Sequence, residues 1–170
     1  MQRLTVEQFH QASKLPLVVV LDNVRSLYNI GSLFRTADTF RLQALYLCGI
    51  TATPPHNEIH KTALGAEDAV SWQHFATATE AVNQLHQAGY EVYALEQAEG
   101  SSMLHHFTDT LQPDRRYAVV LGNEVKGVEQ EAIDLCDGCI EIPQLGTKHS
   151  LNVAVAGAIT IWEFARKLLL

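Results

Sequence analysis

Cysteine is scarce in this sequence, three residues in 170, and that number suits a reducing compartment, so a cytoplasmic protein is expected. Two of the three form Cys136-Asp137-Gly138-Cys139, yet no further pair of ligands stands at finger-like spacing, and a redox CxxC belongs near a helix N-terminus. Here the motif lies between a helix end and a strand, so we read it as two packed thiols and expect no metal. His56-Asn57-Glu58-Ile59-His60 has the i, i+4 spacing of a helix face but lacks the HExxH order, and reads as polar surface. No GxGxxG follows the first apolar run, which argues against a nucleotide-binding redox domain. Low-complexity tracts, repeats and Gly/Ser linkers are missing. Met1 to Lys14 has no apolar stretch of the signal-peptide kind. The most apolar stretch, Leu151 to Leu170, is interrupted by Asn152, Glu163, Arg166 and Lys167, so no membrane span is expected. Cations are also few: 12 Lys and Arg against 19 Asp and Glu give a net charge of −7. That balance does not favour long-range attraction of a polyanion.

What is present points to one domain over residues 1–170, with residues 1–15 as a helical N-terminal extension. A chain of this size buries a single core, whereas halves would be marginal. Leu17–Leu21 is an apolar, β-branched run suited to a strand buried on both faces. Ile30–Phe40 follows as a helix with Ile30, Leu33, Phe34 and Ala37 on one side. Ala44–Cys48, Glu91–Leu95, Tyr117–Leu121 and Cys139–Ile142 read as further strands. Thr79 is expected to cap a helix through Ala88 that Gly89 stops; Glu129–Leu135 and Leu151–Leu169 are expected as the last helices. Alternation of this kind predicts an α/β domain with a mainly parallel sheet flanked by helices.

Three segments look like binding loops on strand-to-helix turns. The last is Ile142-Pro143-Gln144-Leu145-Gly146-Thr147-Lys148-His149-Ser150-Leu151-Asn152-Val153-Ala154-Val155-Ala156-Gly157-Ala158, in which Ser150 is a fitting N-cap for the closing helix. The others are Leu21-Asp22-Asn23-Val24-Arg25-Ser26-Leu27-Tyr28-Asn29-Ile30-Gly31-Ser32-Leu33-Phe34-Arg35-Thr36-Ala37-Asp38 and Val119-Val120-Leu121-Gly122-Asn123-Glu124-Val125-Lys126-Gly127-Val128. Taken in order, they resemble the signature motifs of the SpoU (TrmH) class of RNA ribose 2′-O-methyltransferases, in the SPOUT superfamily. Lys61-Thr62-Ala63-Leu64-Gly65-Ala66 resembles a family segment between the first two, and the likeness runs from about Leu17 to the C-terminus.

The resemblance implies a C-terminal trefoil knot, a bound S-adenosyl-L-methionine and a homodimer whose active site lies near the subunit interface. It implies a cofactor pocket at the strand ends after Leu95, Leu121 and Ile142, with Leu121, Ile142 and Leu151 as an apolar slot. Gly122, Asn123, Gly127 and Gly146 belong to the same pocket, the glycines letting backbone approach closely. Core packing alone is the competing account of the three apolar residues. Arg35 is implied to act on the ribose 2′-hydroxyl. A guanidinium stays protonated and is a poor base, so we expect Arg35 to hold a phosphate and steady the developing alkoxide. Asn29, Glu124, Ser150 and Asn152 complete the expected catalytic surround. Asn29 is also a fitting cap for a helix from Ile30, and Glu124 either accepts from Arg35 or is a turn carboxylate beside Lys126.

Arg25, Arg35, Arg41, Lys126 and Lys148 are expected to gather into one patch, with Glu67, Asp68, Glu129 and Glu131 elsewhere. Val153 to Trp162 is apolar on nearly every side, as befits a helix buried in a core or an interface. The expected activity is methylation of a ribose 2′-hydroxyl in RNA, tRNA before rRNA and, within tRNA, the D-loop guanosine. The alternatives are an rRNA 2′-O-methyltransferase and a non-catalytic RNA- or S-adenosylmethionine-binding module. No separate RNA-binding domain is expected within these residues.

Overall fold

The computed structural model describes residues 3–170; Met1 and Gln2, part of the expected N-terminal extension, lie outside the described residues. Seven strands form one sheet: β1 (Leu15–Asp22), β2 (Leu42–Cys48), β3 (Trp72–Phe75), β4 (Tyr90–Leu95), β5 (Ser102–Met103), β6 (Arg116–Leu121) and β7 (Gly138–Glu141). Their order across the sheet is β3-β2-β1-β6-β4-β7-β5, and every pairing is parallel. The expected α/β architecture is therefore present.

The continuous apolar run of β1 has a direct cause. Leu15, Leu17, Val19 and Leu21 face one layer of helices, and Val18 and Val20 the other. The first layer comprises α1 (Val6–Gln11), α2 (Leu27–Thr39), α3 (Asn57–Ala63), α4 (Ala66–Ala69) and α8 (Val153–Leu168); the second holds α5 (Ala78–Gln87) and α7 (Gln130–Leu135). A short helix, α6 (Leu104–Phe107), follows β5. Phe34 and Phe164, both fully buried in the first layer, each contribute about 1.5–3 kcal/mol by leaving water.

This layering makes a crevice. From β1 the chain crosses through α2 on one face to β2, while from β6 it crosses through α7 on the other face to β7. Loops that leave adjacent parallel strands for opposite faces open a gap at the strands' carboxyl ends, where α/β sheets bind ligands.

Several helix starts differ from expectation. Ser26, not Asn29, caps α2: its Oγ accepts the Asn29 N–H at 3.2 Å, which leaves Asn29 inside the first turn. Thr77, not Thr79, caps α5. Asn152, not Ser150, caps α8, its Oδ1 accepting from the amides of Ala154 (2.9 Å) and Val155 (3.2 Å). Within the single chain, α8 is buried on one side only, which leaves the interface alternative for the other. Gly157, Ile161, Phe164 and Ala165 face the core, whereas Val155 (49%), Ile159 (36%) and Trp162 (43%) remain exposed. No helix among the described residues is long and apolar enough to cross a membrane.

Candidate active site

The turn after β6 is closed on itself. Asn123 N–H donates to Gly127 O (3.0 Å) and Gly127 N–H to Asn123 O (2.9 Å). Inside the loop, Asn123 Oδ1 accepts from the amides of Val125 (2.9 Å) and Lys126 (3.0 Å), while its Nδ2 donates to Asn23 O at 2.7 Å. A Cβ at Gly122 would overlap the carbonyl carbon of Gly127 and the amide of Val128. Gly127 itself has φ +73°, a region that favours glycine. The close approach expected at Gly122 is therefore to this chain's own backbone.

Glu124 projects from that turn to the loop before α2. Its carboxylate accepts from the amides of Arg25 (3.0 Å) and Ser26 (2.9 Å), and from Asn29 Nδ2 at 3.4 Å. Partial burial alone would raise its pKa, but these donors outweigh it and hold the carboxyl below the usual glutamate value. Asn29 Oδ1 in turn accepts from Asn152 Nδ2 at 3.1 Å. One chain of polar contacts, Glu124–Asn29–Asn152, thus joins all three segments and ends on the amides that open α8. Beneath it, buried Asp22 accepts from the Glu129 amide at 2.8 Å and from Asn23 Nδ2 at 3.1 Å, and burial pushes its pKa up.

A cleft of about 380 Å³ opens where β4, β6 and β7 end. Leu95, Leu121, Ile142 and Leu151 form its apolar wall, and Gly122, Asn123, Glu124, Gly127 and Ser150 line it as well. Glu96 joins them directly after β4, with its Oε1 accepting from Val128 N–H at 2.6 Å. Arg35 is exposed on α2 and opens onto a different groove, shared with Tyr28, Ser32, Thr36, Thr39, Glu58, Lys61 and Thr62. Its guanidinium has no hydrogen-bond or ion-pair partner among the described residues.

Residues 16–162 match the SpoU rRNA Methylase family. The chain belongs to that family. It is 31% identical over 166 residues to the tRNA (guanosine(18)-2′-O)-methyltransferase of Thermus thermophilus, covering 98% of this chain and 82% of that protein. It is 29% identical over 151 residues to the 23S rRNA (guanosine-2′-O-)-methyltransferase RlmB of Bordetella pertussis, covering 89% of this chain and 60% of that one. The structure of an AdoMet-bound rRNA methyltransferase from Sinorhizobium meliloti superposes with a TM-score of 0.81 at 29% identity, over 93% of this chain and 62% of that chain. The relatives are of unequal length, and the chain spans from 41% to 82% of them.

Within this SpoU chain the expected cofactor-pocket residues converge, with one exception. Gly146 stands in open space and does not line the cleft. Of the expected catalytic residues, Glu124 and Ser150 line the cleft, while Asn29 stands behind Glu124, to which it donates, and Asn152 donates to Asn29. Glu124 receives nothing from Arg35, which opens onto the other groove; the carboxylate's donors are the loop amides and Asn29. The single cationic patch is not formed either. Arg25 and Lys126 share a groove, but Glu129 lines it too, and Arg41 stands by Lys14 at the other end of β1. Lys126, expected in the cationic patch, lines the cleft too, as do Glu96, Gln97, Glu141, Gln144 and His149, for which no role is expected from the sequence. The signal for Glu96, Gln97 and Glu141 was available, since each sits at or just past the carboxyl end of a parallel strand. Cys136 and Cys139 are partly buried thiols, the first held by Ala132 O and pushed up by burial to about 12.

Proposed function

We propose that this chain is an S-adenosylmethionine-dependent RNA ribose 2′-O-methyltransferase that acts on tRNA, at the D-loop guanosine. The observation that carries the reading is the convergence of the three SpoU segments on one cleft, locked together by Glu124, Asn29 and Asn152. The cleft fits the cofactor. Its volume lies within the roughly 300–1,000 Å³ usual for such ligands, and its apolar wall suits a flat adenine ring whose edge meets backbone at the strand ends. Glu96, Glu124 and Glu141 on the same lining suit a ligand that carries sulfonium and ammonium charges. When bound, S-adenosylmethionine supplies the methyl group.

The chain's own residues do the rest. The 122–127 turn and Ser150 border the place where the acceptor ribose enters. Arg35 holds the adjoining phosphate and steadies the alkoxide as it develops, the proton leaving through phosphate or water. Because Arg35 lies off its own cleft wall, it serves the cleft of a second subunit. The exposed face of α8, formed by Val155, Ile159 and Trp162, supports the dimer this requires. A C-terminal knot belongs to the same reading, supported by the place of β7, last in sequence, between β4 and β5. A reducing cytoplasm suits the three free cysteines.

The tRNA substrate is supported by the Thermus relative, of which the chain covers 82%. A second reading, rRNA, rests on the Bordetella relative at similar identity. Mass mapping of ribose methylation in total RNA, with and without the gene, tests both. Loss of one 2′-O-methyl guanosine in tRNA is expected; loss in 23S rRNA would move the substrate, and loss nowhere would overturn the enzyme. Titration calorimetry with S-adenosylmethionine and NAD checks the cofactor, since binding of NAD alone would refute the cleft's assignment.

A further inference from the structure

We infer that the groove between the loops leaving β1, β2 and β6 receives a nucleotide next to the one whose ribose is methylated. This rests on the proposed RNA activity and names a contact for its substrate.

The groove, about 440 Å³, is lined by Asn23, Arg25, Ile50, Val125, Lys126 and Glu129, among others. It lies where the chain leaves β1 for one face of the sheet and β6 for the other, the crevice in which parallel sheets take ligands. It is also adjacent to the cofactor cleft. Asn123, Val125, Lys126 and Gly127 line both spaces, so the closed turn after β6 is the partition between them. An RNA strand that offers a ribose to the cleft lays its neighbouring nucleotide across this partition.

The chemistry of the walls matches a nucleotide. Ile50 is 65% exposed and Val125 82%, two branched apolar side chains left in water on facing loops. They offer a surface for the face of a base. Arg25 and Lys126 flank them, and neither head group has an ion-pair partner among the described residues. In a chain of net charge −7, two free cations beside an apolar floor make a local site for a phosphate. Glu129 is held by Asn23 Nδ2 at 2.9 Å; it repels phosphate from its own side and is free to accept from a base N–H. The substrate's phosphate therefore lies toward Arg25 and Lys126.

Ile50→Glu and Arg25→Ala test the groove, because neither side chain lines the cofactor cleft and both backbone amides keep their bonds. Binding is measured with a pool of unmodified tRNA transcripts and a 23S rRNA transcript alongside. Each variant is expected to weaken binding of the unmodified transcript that serves as substrate on the order of tenfold, with S-adenosylmethionine affinity and melting temperature unchanged. Arg25→Ala should also reduce the log–log salt slope by roughly 0.7–0.9, one phosphate's worth. Single-stranded RNA carrying 4-thiouridine should crosslink to the peptides holding Ile50 or Val125. Wild-type RNA affinity in both variants, or crosslinks only elsewhere, would overturn the groove while leaving methylation intact. A wild-type protein that methylates no RNA would instead bring down the underlying activity.

Discussion

Both carboxylate oxygens of Glu124 accept backbone N–H groups of the loop that leads into α2, at 3.0 Å from Arg25 and 2.9 Å from Ser26. Such bonds stabilise the charged form, and a general base for a hydroxyl needs the opposite, a pKa raised toward neutrality. Glu124 is thus a positioning residue that ties the second segment to the first. This was hidden in the sequence: a carboxylate in a turn reads the same whether it meets an arginine, a ribose or two amides. Glu124→Gln keeps the shape but turns one acceptor into a donor that faces an N–H. At neutral pH the variant should lose about 1 kcal/mol in urea unfolding. The sign of the pH dependence follows from the lowered pKa. The wild-type advantage is whole above the ordinary glutamate value of 4.5 and disappears as pH falls through the lower folded value. Buried Asp22, whose pKa is raised, is common to both proteins and cancels in the difference. Urea midpoints at pH 7 and across the acid range check this, and a gap that stays constant into acid would contradict it.

At the level of elements, β1 and β6 were legible because strands buried on both faces need nearly unbroken apolar runs, and β2 and β4 were legible from apolar residues broken only by Gln43 and Glu91. β3 was not. Three of the four residues in Trp72-Gln73-His74-Phe75 are exposed at the sheet edge, so no apolar period marks them, and β5 is only two residues long. Helix starts were misplaced for a different reason. Ser150 and Asn152 are both good caps, and the choice falls to the one that also has a distant partner. Asn152 Oδ1 serves the first turn of α8, and its Nδ2 reaches Asn29 Oδ1. The two functions are separable. Asn152→Ala should destabilise the protein by about 1 kcal/mol through the lost cap, with an added loss because Asn29 Oδ1 goes unpaired. Asn152→Ser restores the cap but is too short to reach Asn29. A thermal double-mutant cycle of Asn152 with Asn29→Ala should find coupling above 0.5 kcal/mol for Asn152→Ala. Strict additivity would show that the three segments are not mechanically linked through this pair.

For the whole molecule, the open question is how Arg35 and the cleft come together. With Ile30, Leu33, Phe34 and Ala37 on the buried side of α2, Arg35 falls on the polar side, but a helical period does not say which groove that side overlooks. In the fold Arg35 shares its groove with Tyr28 and Lys61, and the cleft wall is built without it. Val155, Ile159 and Trp162 recur at spacings of four and three residues along α8 and stay exposed. The stripe is anchored toward α2 by the packing of Trp162 on Phe40, with ring centroids 5.8 Å apart. A two-fold interface built on this face puts the same patch of each subunit against the other, and it sets the outer surface of α2 beside the partner. Complementation distinguishes this from an arginine that serves its own chain. Arg35→Ala retains an intact cleft, and Ile142→Asp retains the arginine while placing a charge in the apolar wall. Each alone should be inactive. Unfolded, mixed and refolded in equal amounts, half of the dimers pair one variant with the other, and each has one site with both parts. Methyl transfer should recover to about one quarter of wild type if the arginine acts across a two-fold interface. Within one chain no site would be complete, and the mixture would stay dead. Ile159→Glu should abolish recovery and shift the sedimentation coefficient to that of a monomer, because it leaves both the arginine and the cleft in place but parts the subunits.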